Sequence, residues 1–144
     1  MRGREYLKSI RDLRFRIEDM EKEAENIRIS MITVKSTSDY SDRVQTSPRQ
    51  DSLENQVIRI LEKMDKLNES INRKRAIFIK RQHEARENIR SLPEGQRRRF
   101  LIDYYIEGKK ISDIAKEYNF TDYSSPYQLD RRAIQLYEEY YDKK

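Results

Sequence analysis

Between Arg97 and Arg132 the chain carries the side chains best suited to reading a polyanion. Gln128 and Arg131 stand close to one helical turn apart, and both can make paired hydrogen bonds to base edges, glutamine with adenine and arginine with guanine. Ser124, Ser125, Tyr127 and Arg132 share the polar side of the same stretch. Arg97, Arg98, Arg99, Lys109, Lys110 and Lys116 are of the kind that grips phosphates, fixing register without reading sequence. Each cation also has a plainer interpretation, as half of a salt bridge or as a solvated point on a helix. Asp130 could neutralise a neighbouring arginine in the same way.

No enzyme constellation stands beside them. The chain has no glycine-rich phosphate loop and no nucleophile of the G-x-S-x-G kind. Acidic pairs at helical spacing are expected by chance in a chain with 40% charged residues. His83 is the sole histidine and lies in a polar stretch, and there is no cysteine to join it in a metal site. The residues point to no catalysis, no metal and no cofactor. Eight of the ten tyrosines fall in the last third of the chain. They could stack on bases, but core and hydrogen-bonded edge positions of a small helical module suit them better.

These residues sit on a stretch from Leu92 to Gln135 that reads as three helices joined by turns. Pro93 stops what precedes it, because it lacks an N–H and clashes with a continuing helix. Gln96 to Ile106 forms an amphipathic segment with Phe100, Leu101, Tyr104 and Tyr105 at helical spacing. Gly108 supplies a turn, and Ser112 or the turn residues before it can cap the next helix. In that helix Ile111, Ile114, Ala115 and Tyr118 make one buried stripe, with Ala115 small enough for the close packing of a helix-turn-helix. Asn119 tolerates a left-handed turn, Phe120 plugs the corner, and the third helix begins near Ser124-Ser125-Pro126 with a serine cap and a first-turn proline.

The pattern of Leu92-Pro93, Phe100, Tyr104-Tyr105, Glu107-Gly108 and DIAKEYNF (Asp113 to Phe120), followed by Arg132 and Ala133-Ile134, resembles the helix-turn-helix of region 4 of bacterial sigma factors. It is more similar still to small phage and prophage transcriptional regulators of the ArpU type, which carry such a tail behind a helical N-terminal half. DRVQTS (Asp42 to Ser47) also resembles a motif of that group, in the same place in the chain. The likeness covers most of the chain, about a third of it tightly. It implies an all-α fold, double-stranded DNA as partner and a role in transcription. One departure stands out: the stretch from Phe120 to Ala133 is a residue longer than the pattern, with Pro126 near a position usually taken by a buried aliphatic. That implies a remodelled turn and a remodelled start to the third helix.

Composition agrees with helices. Hydrophobic residues make up 35% of the 144, too few for a thick core but enough for helices that bury a narrow stripe. Three glycines and three prolines leave few turns, which argues against an all-β fold. Without cysteines there are no disulfides, as suits the cytosol. The first residues lack the apolar core of a signal peptide, and no apolar run approaches membrane-spanning length. The expectation is a cytoplasmic protein of a bacterial host cell with no membrane partner. Net charge is +5, but residues 91–144 are neutral overall. The excess lies upstream in Arg73, Lys74, Arg75, Lys80, Arg81, Arg86 and Arg90, against Glu84 and Glu87. Phosphate neutralisation would therefore depend on local clusters.

Residues 4–34 read as a first helix. Tyr6, Ile10, Leu13, Ile17, Met20, Ala24, Ile27, Met31 and Val34 alternate in steps of four and three, a heptad seam. Residues 35–52 are polar, contain Pro48 and read as a connecting loop. A second long helix over 51–91, capped by Asp51 or Ser52, repeats the seam at Leu53, Val57, Ile60, Met64, Leu67 and Ile71. The seam falters at Lys74 and Arg81 and resumes at Phe78, Ala85, Ile89 and Leu92. The fold class is thus a long antiparallel helical hairpin, coiled-coil-like, over 1–91, followed by a small helix-turn-helix module over 92–144.

Three functions compete. The first is a sequence-specific regulator whose C-terminal module binds DNA while the N-terminal helices form a homo-oligomer or contact RNA polymerase. The second is a small terminase-like DNA-packaging subunit, which also joins such a module to oligomerising helices. The third is a helical interaction protein whose helix-turn-helix is only a core, with the neutral charge of 91–144 in its favour.

Overall fold

The computed structural model describes residues 3–41, 49–120 and 125–142, with side chains described for 3–33, 53–120 and 125–141. Among these residues all regular structure is helical, as the composition requires. Helix α1 spans Gly3–Ser41 and α2 spans Arg49–Arg90. The short α3 (Gln96–Phe100) runs directly into a wider, π-helical stretch at Leu101–Ile106. Helices α4 (Ile111–Glu117) and α5 (Ser125–Asp142) follow. No helix is long and apolar enough to cross a membrane.

Both long helices run on into the stretch expected to be a loop. Residues 35–41 contain neither glycine nor proline, so backbone bonding continues past the point where the apolar seam ends. Helix α2 likewise starts at Arg49, which places Asp51 and Ser52 inside it rather than at its cap. The DRVQTS stretch lies outside the described residues.

Two compact units divide the chain. One joins Met1–Arg16 to Ala76–Lys144, and the other is Ile17–Arg75. The division therefore falls within both long helices and not at Leu92. The reason is in the first unit's core, where Leu7 and Ile10 of α1, Ala85 and Ile89 of α2 and Leu92 just beyond it share one apolar cluster with Phe100, Leu101, Tyr105, Ile106, Ile114, Leu129, Ala133, Ile134 and Tyr137. Three short helices cannot bury that much apolar surface among themselves.

Polar contacts tie the same parts together. At the C-terminal end of a helix the last carbonyls lack partners, and here two arginines of α1 supply them. Arg11 donates to the carbonyls of Tyr104 (2.6 Å) and Lys109 (3.0 Å), and Arg14 donates to that of Ile106 through Nε (3.1 Å) and Nη2 (2.6 Å). The Arg11 guanidinium also lies 3.9 Å from the centre of the Tyr104 ring, a cation–π contact. Tyr6 donates to Glu84 at 2.7 Å, and Arg86 pairs with Glu107 at 2.5 Å.

In the second unit, the two helical segments run antiparallel, with Glu21 paired to Arg75. The expected seam is the buried side. Ile17 and Ile71 are buried, and Met20, Ala24, Ile27, Met31, Leu53, Val57, Ile60, Met64 and Leu67 are half-buried. Lys74 here and Arg81 in the first unit hold the seam register rather than breaking it. Both are half-buried, because a long aliphatic stem can lie along an apolar stripe while its charge reaches out. Arg81 also donates to the Ser9 hydroxyl, at 3.2 Å.

Candidate nucleic-acid interface

The three-helix module positions its polar residues by fixing each helix with apolar ones. Helix α4 starts from Lys110, whose extended backbone and carbonyl begin the helical bonding with no side-chain cap. Ser112 is therefore inside the helix and not its cap. The stripe of Ile111, Ile114, Ala115 and Tyr118 faces inward, with Ile114 fully buried and the others half-buried. The helix ends as expected at Asn119, the one non-glycine residue with positive φ (59°) among the described residues. The Phe120 amide donates to the Ala115 carbonyl (2.9 Å) and that of Asn119 to Lys116 (3.3 Å), the paired bonds of a Schellman end. Phe120 packs against the core beside Tyr118.

Helix α5 presents two faces. Pro126, Leu129, Ala133, Ile134 and Tyr137 are buried, while Tyr127, Gln128, Arg131, Arg132 and Gln135 are exposed. Pro126 thus occupies a buried first-turn position, where its missing N–H costs nothing. Ser125 is half-buried at the start of the helix, and Ser124 lies outside the described residues. Asp130 does not neutralise an arginine. It accepts a 2.6 Å bond from the Tyr105 hydroxyl, and Arg131 and Arg132 make no ion pair among the described residues. Burial, and then this bond, hold the Tyr105 hydroxyl well above its ordinary value.

The six cations read as phosphate grips divide. Arg97, Lys110 and Lys116 are exposed and without ion pairs among the described residues. Arg98 lies 3.9 Å from Glu94. Arg99 and Lys109 are engaged around Asp103, a nearly buried carboxylate. It accepts from the Tyr118 hydroxyl at 2.7 Å and has Arg99 at 3.6 Å and Lys109 at 3.8 Å. Glu117 completes the cluster, 3.1 Å from Lys109 and 3.8 Å from Arg99. The Arg99 guanidinium sits over the Tyr118 ring. For these two cations the salt-bridge interpretation holds.

Basic residues before the module are similarly occupied in part. Arg75 pairs with Glu21, Arg86 with Glu107 and Arg90 with Glu87. Most tyrosines of the module serve packing: Tyr105 and Tyr137 are buried, and Tyr141 stacks on Tyr137. Tyr127 is 63% exposed and stands in the row with Gln128. Tyr123 lies outside the described residues. His83 is exposed.

Sequence reading missed Arg4. It lines an open groove of about 450 Å³ together with Glu5, Arg131, Ile134, Gln135 and Glu138. No local signal could have found it, since 127 positions separate it from Arg131. Compared with protein-family models, with curated proteins and with solved structures, the chain gives no match.

Proposed function

We propose that this chain is a sequence-specific DNA-binding transcriptional regulator of the phage or prophage type. Helix α5 enters the major groove, and the N-terminal helices serve oligomerisation or contact with RNA polymerase. One observation carries the reading: Tyr127, Gln128, Arg131 and Arg132 form an exposed row with no ion pair among the described residues, on a helix whose opposite face is anchored in the core. Buried anchoring gives such a row the rigidity that base readout needs. Gln128 and Arg131 address base edges, and Arg97, Lys110 and Lys116 address phosphates. The resemblance to ArpU-type regulators and sigma region 4 supports the same reading. The engagement of Arg99 and Lys109 in ion pairs, with the neutral charge of residues 91–144, favours the competing reading of a helical interaction protein.

The test is binding of the purified chain to promoter-bearing DNA from its own genomic neighbourhood, with unrelated DNA as competitor, at two salt concentrations. We expect salt-sensitive, specific binding. An Arg131→Ala/Arg132→Ala variant should lose on the order of 10- to 100-fold in specific affinity, about 1–3 kcal/mol for a lost bidentate base contact. Binding that is absent, or weak and indifferent to the variant, would reject the reading in favour of a protein partner.

A further inference from the structure

Helix α1 begins against the flank of α5. Gly3 is buried there, and a Cβ on it would come within 2.9 Å of Tyr137 Cδ1, so the missing side chain lets the two helices abut. The Arg4 amide donates to the Glu138 carboxylate at 3.3 Å and ties the first turn of α1 to α5. The open groove of about 450 Å³ is lined by Arg4 and Glu5 from α1 and by Arg131, Gln135 and Glu138 from α5. Formally it is neutral, two arginines against two glutamates, but its acids and bases are not equally occupied. Glu138 holds the Arg4 amide, and Glu5 lies in the first turn of α1, where the unpaired N–H groups of the helix favour a carboxylate. Arg4 and Arg131 are both exposed, and neither has an ion pair among the described residues. The charge of Arg4 is felt at the Tyr105 hydroxyl, whose acceptor Asp130 precedes Arg131 in the chain. Two unanswered guanidiniums thus share one open space.

We infer that Arg4 is a phosphate contact, gripping the DNA strand that borders the major groove into which Arg131 reaches. This rests on the proposed placement of α5 in that groove and adds α1 to the interface. Widths decide the assignment. A helix with its side chains is about 10–12 Å across, and the major groove is about 12 Å wide. Helix α5 alone fills it. Helix α1, packed on the flank of α5, finds no room inside and stands over the wall of the groove, which is sugar and phosphate. Arginine suits that wall, because its planar fork offers two parallel N–H groups to two phosphate oxygens. Gln135, exposed and one turn on from Arg131, brings a neutral amide donor to the same space. A residue that fixes register and one that reads a base would thus stand side by side, supplied by opposite ends of the chain.

The experiment is DNA binding by the full chain across a range of salt, to promoter-bearing and to unrelated DNA, for the wild type, Arg4→Gln, Arg4→Lys and Lys66→Gln. Lys66 is an exposed cation of the Ile17–Arg75 unit, and its variant controls for net charge. Arg4→Gln is expected to weaken binding to both DNAs alike, on the order of 10-fold, as for a lost hydrogen bond to a charged group. It should also lower the slope of log affinity against log salt by about 0.9, the share of one phosphate. Arg4→Lys should keep the slope, and Lys66→Gln should match the wild type. The Arg4 side chain is exposed, so thermal melts of the Arg4 variants should follow the wild type. A wild-type slope in Arg4→Gln would overturn the inference and leave the groove to an acidic group of a protein partner. A loss confined to promoter DNA would overturn it by making Arg4 a reader of sequence, and an equal loss in Lys66→Gln by making net charge the cause. A wild type that binds neither DNA would reject the major-groove reading and this inference with it. Specific binding lost in Arg131→Ala/Arg132→Ala but intact in Arg4→Gln would overturn this inference alone.

Discussion

Asp103 and Asp130 show how the module treats charge at the level of single residues. Each is met by a tyrosine hydroxyl, Tyr118 for the first and Tyr105 for the second, at 2.7 and 2.6 Å. A carboxylate accepts strongly from such a donor, and the bond holds the tyrosine neutral. Burial is the larger cause of the upward shift at Tyr105, and its ordinary value is 10.0. A group whose folded pKa is raised contributes stability that is complete below its unfolded pKa and is lost as pH rises through the folded one. The urea midpoint should therefore hold steady from neutral pH and fall above about pH 10. Tyr105→Phe should cost about 2 kcal/mol at neutral pH, the net worth of one hydrogen bond to a charged group, and show a shallower decline above that point. Equal alkaline slopes for the two proteins would show that Tyr105 does not carry the dependence.

Among the elements, the passage from α3 to α4 shows how tertiary contacts reshape a local pattern. Helical spacing alone reads Gln96 to Ile106 as one amphipathic helix. The protein widens its second half, with the Glu107 amide bonded to the Ile102 carbonyl five residues back, at 2.8 Å. That half is covered from several sides: Leu101, Tyr105 and Ile106 enter the core, Asp103 meets Tyr118 at the C-terminal cap of α4, and Tyr104 lies under Arg11 of α1. Gly108 then turns the chain at φ 74°, and a Cβ there would come within 2.7 Å of Arg14 Cδ. Gly108→Ala should thus combine backbone strain with displacement of the arginine that bonds the Ile106 carbonyl. We expect a loss of about 2 kcal/mol by chemical denaturation, roughly the middle of the range for one strained residue. A loss below about 0.5 kcal/mol, the size of an ordinary surface substitution, would mean the turn relaxes freely.

For the whole molecule, the division of the chain predicts what can be cut away. Residues 92–144 contain three helices but only part of their core, because Leu7, Ile10, Ala85 and Ile89 complete it. An isolated 92–144 fragment should therefore lack a cooperative thermal transition, whereas residues 1–16 joined by a flexible linker to 76–144 should retain one. Circular dichroism melts of the two would decide it. A cooperative transition in the short fragment would show that the long helices add nothing needed to the module.

Much of this architecture is written in local pattern. The heptad seam from Tyr6 to Met31 and from Leu53 to Ile71, the left-handed turn at Asn119, and the polar row at Tyr127, Gln128, Arg131 and Arg132 all follow from helical periodicity and backbone sterics, which act over a few residues. Tertiary structure decided what depends on partners far away in the chain. Arg97 and Arg99 are two positions apart and alike in sequence, yet only Arg99 meets Asp103 and Glu117. Arg11 and Arg14 look like ordinary cations on the polar side of a helix, and become caps for carbonyls more than ninety residues on. A charged side chain's role is set by whatever the fold brings within a few ångströms of it, and no spacing rule reaches that far. An apolar residue's role is set largely by its place on its own helix, and so most could be read beforehand; Leu7, off the expected seam yet fully buried, is in the core because the C-terminal helices cover that side of α1.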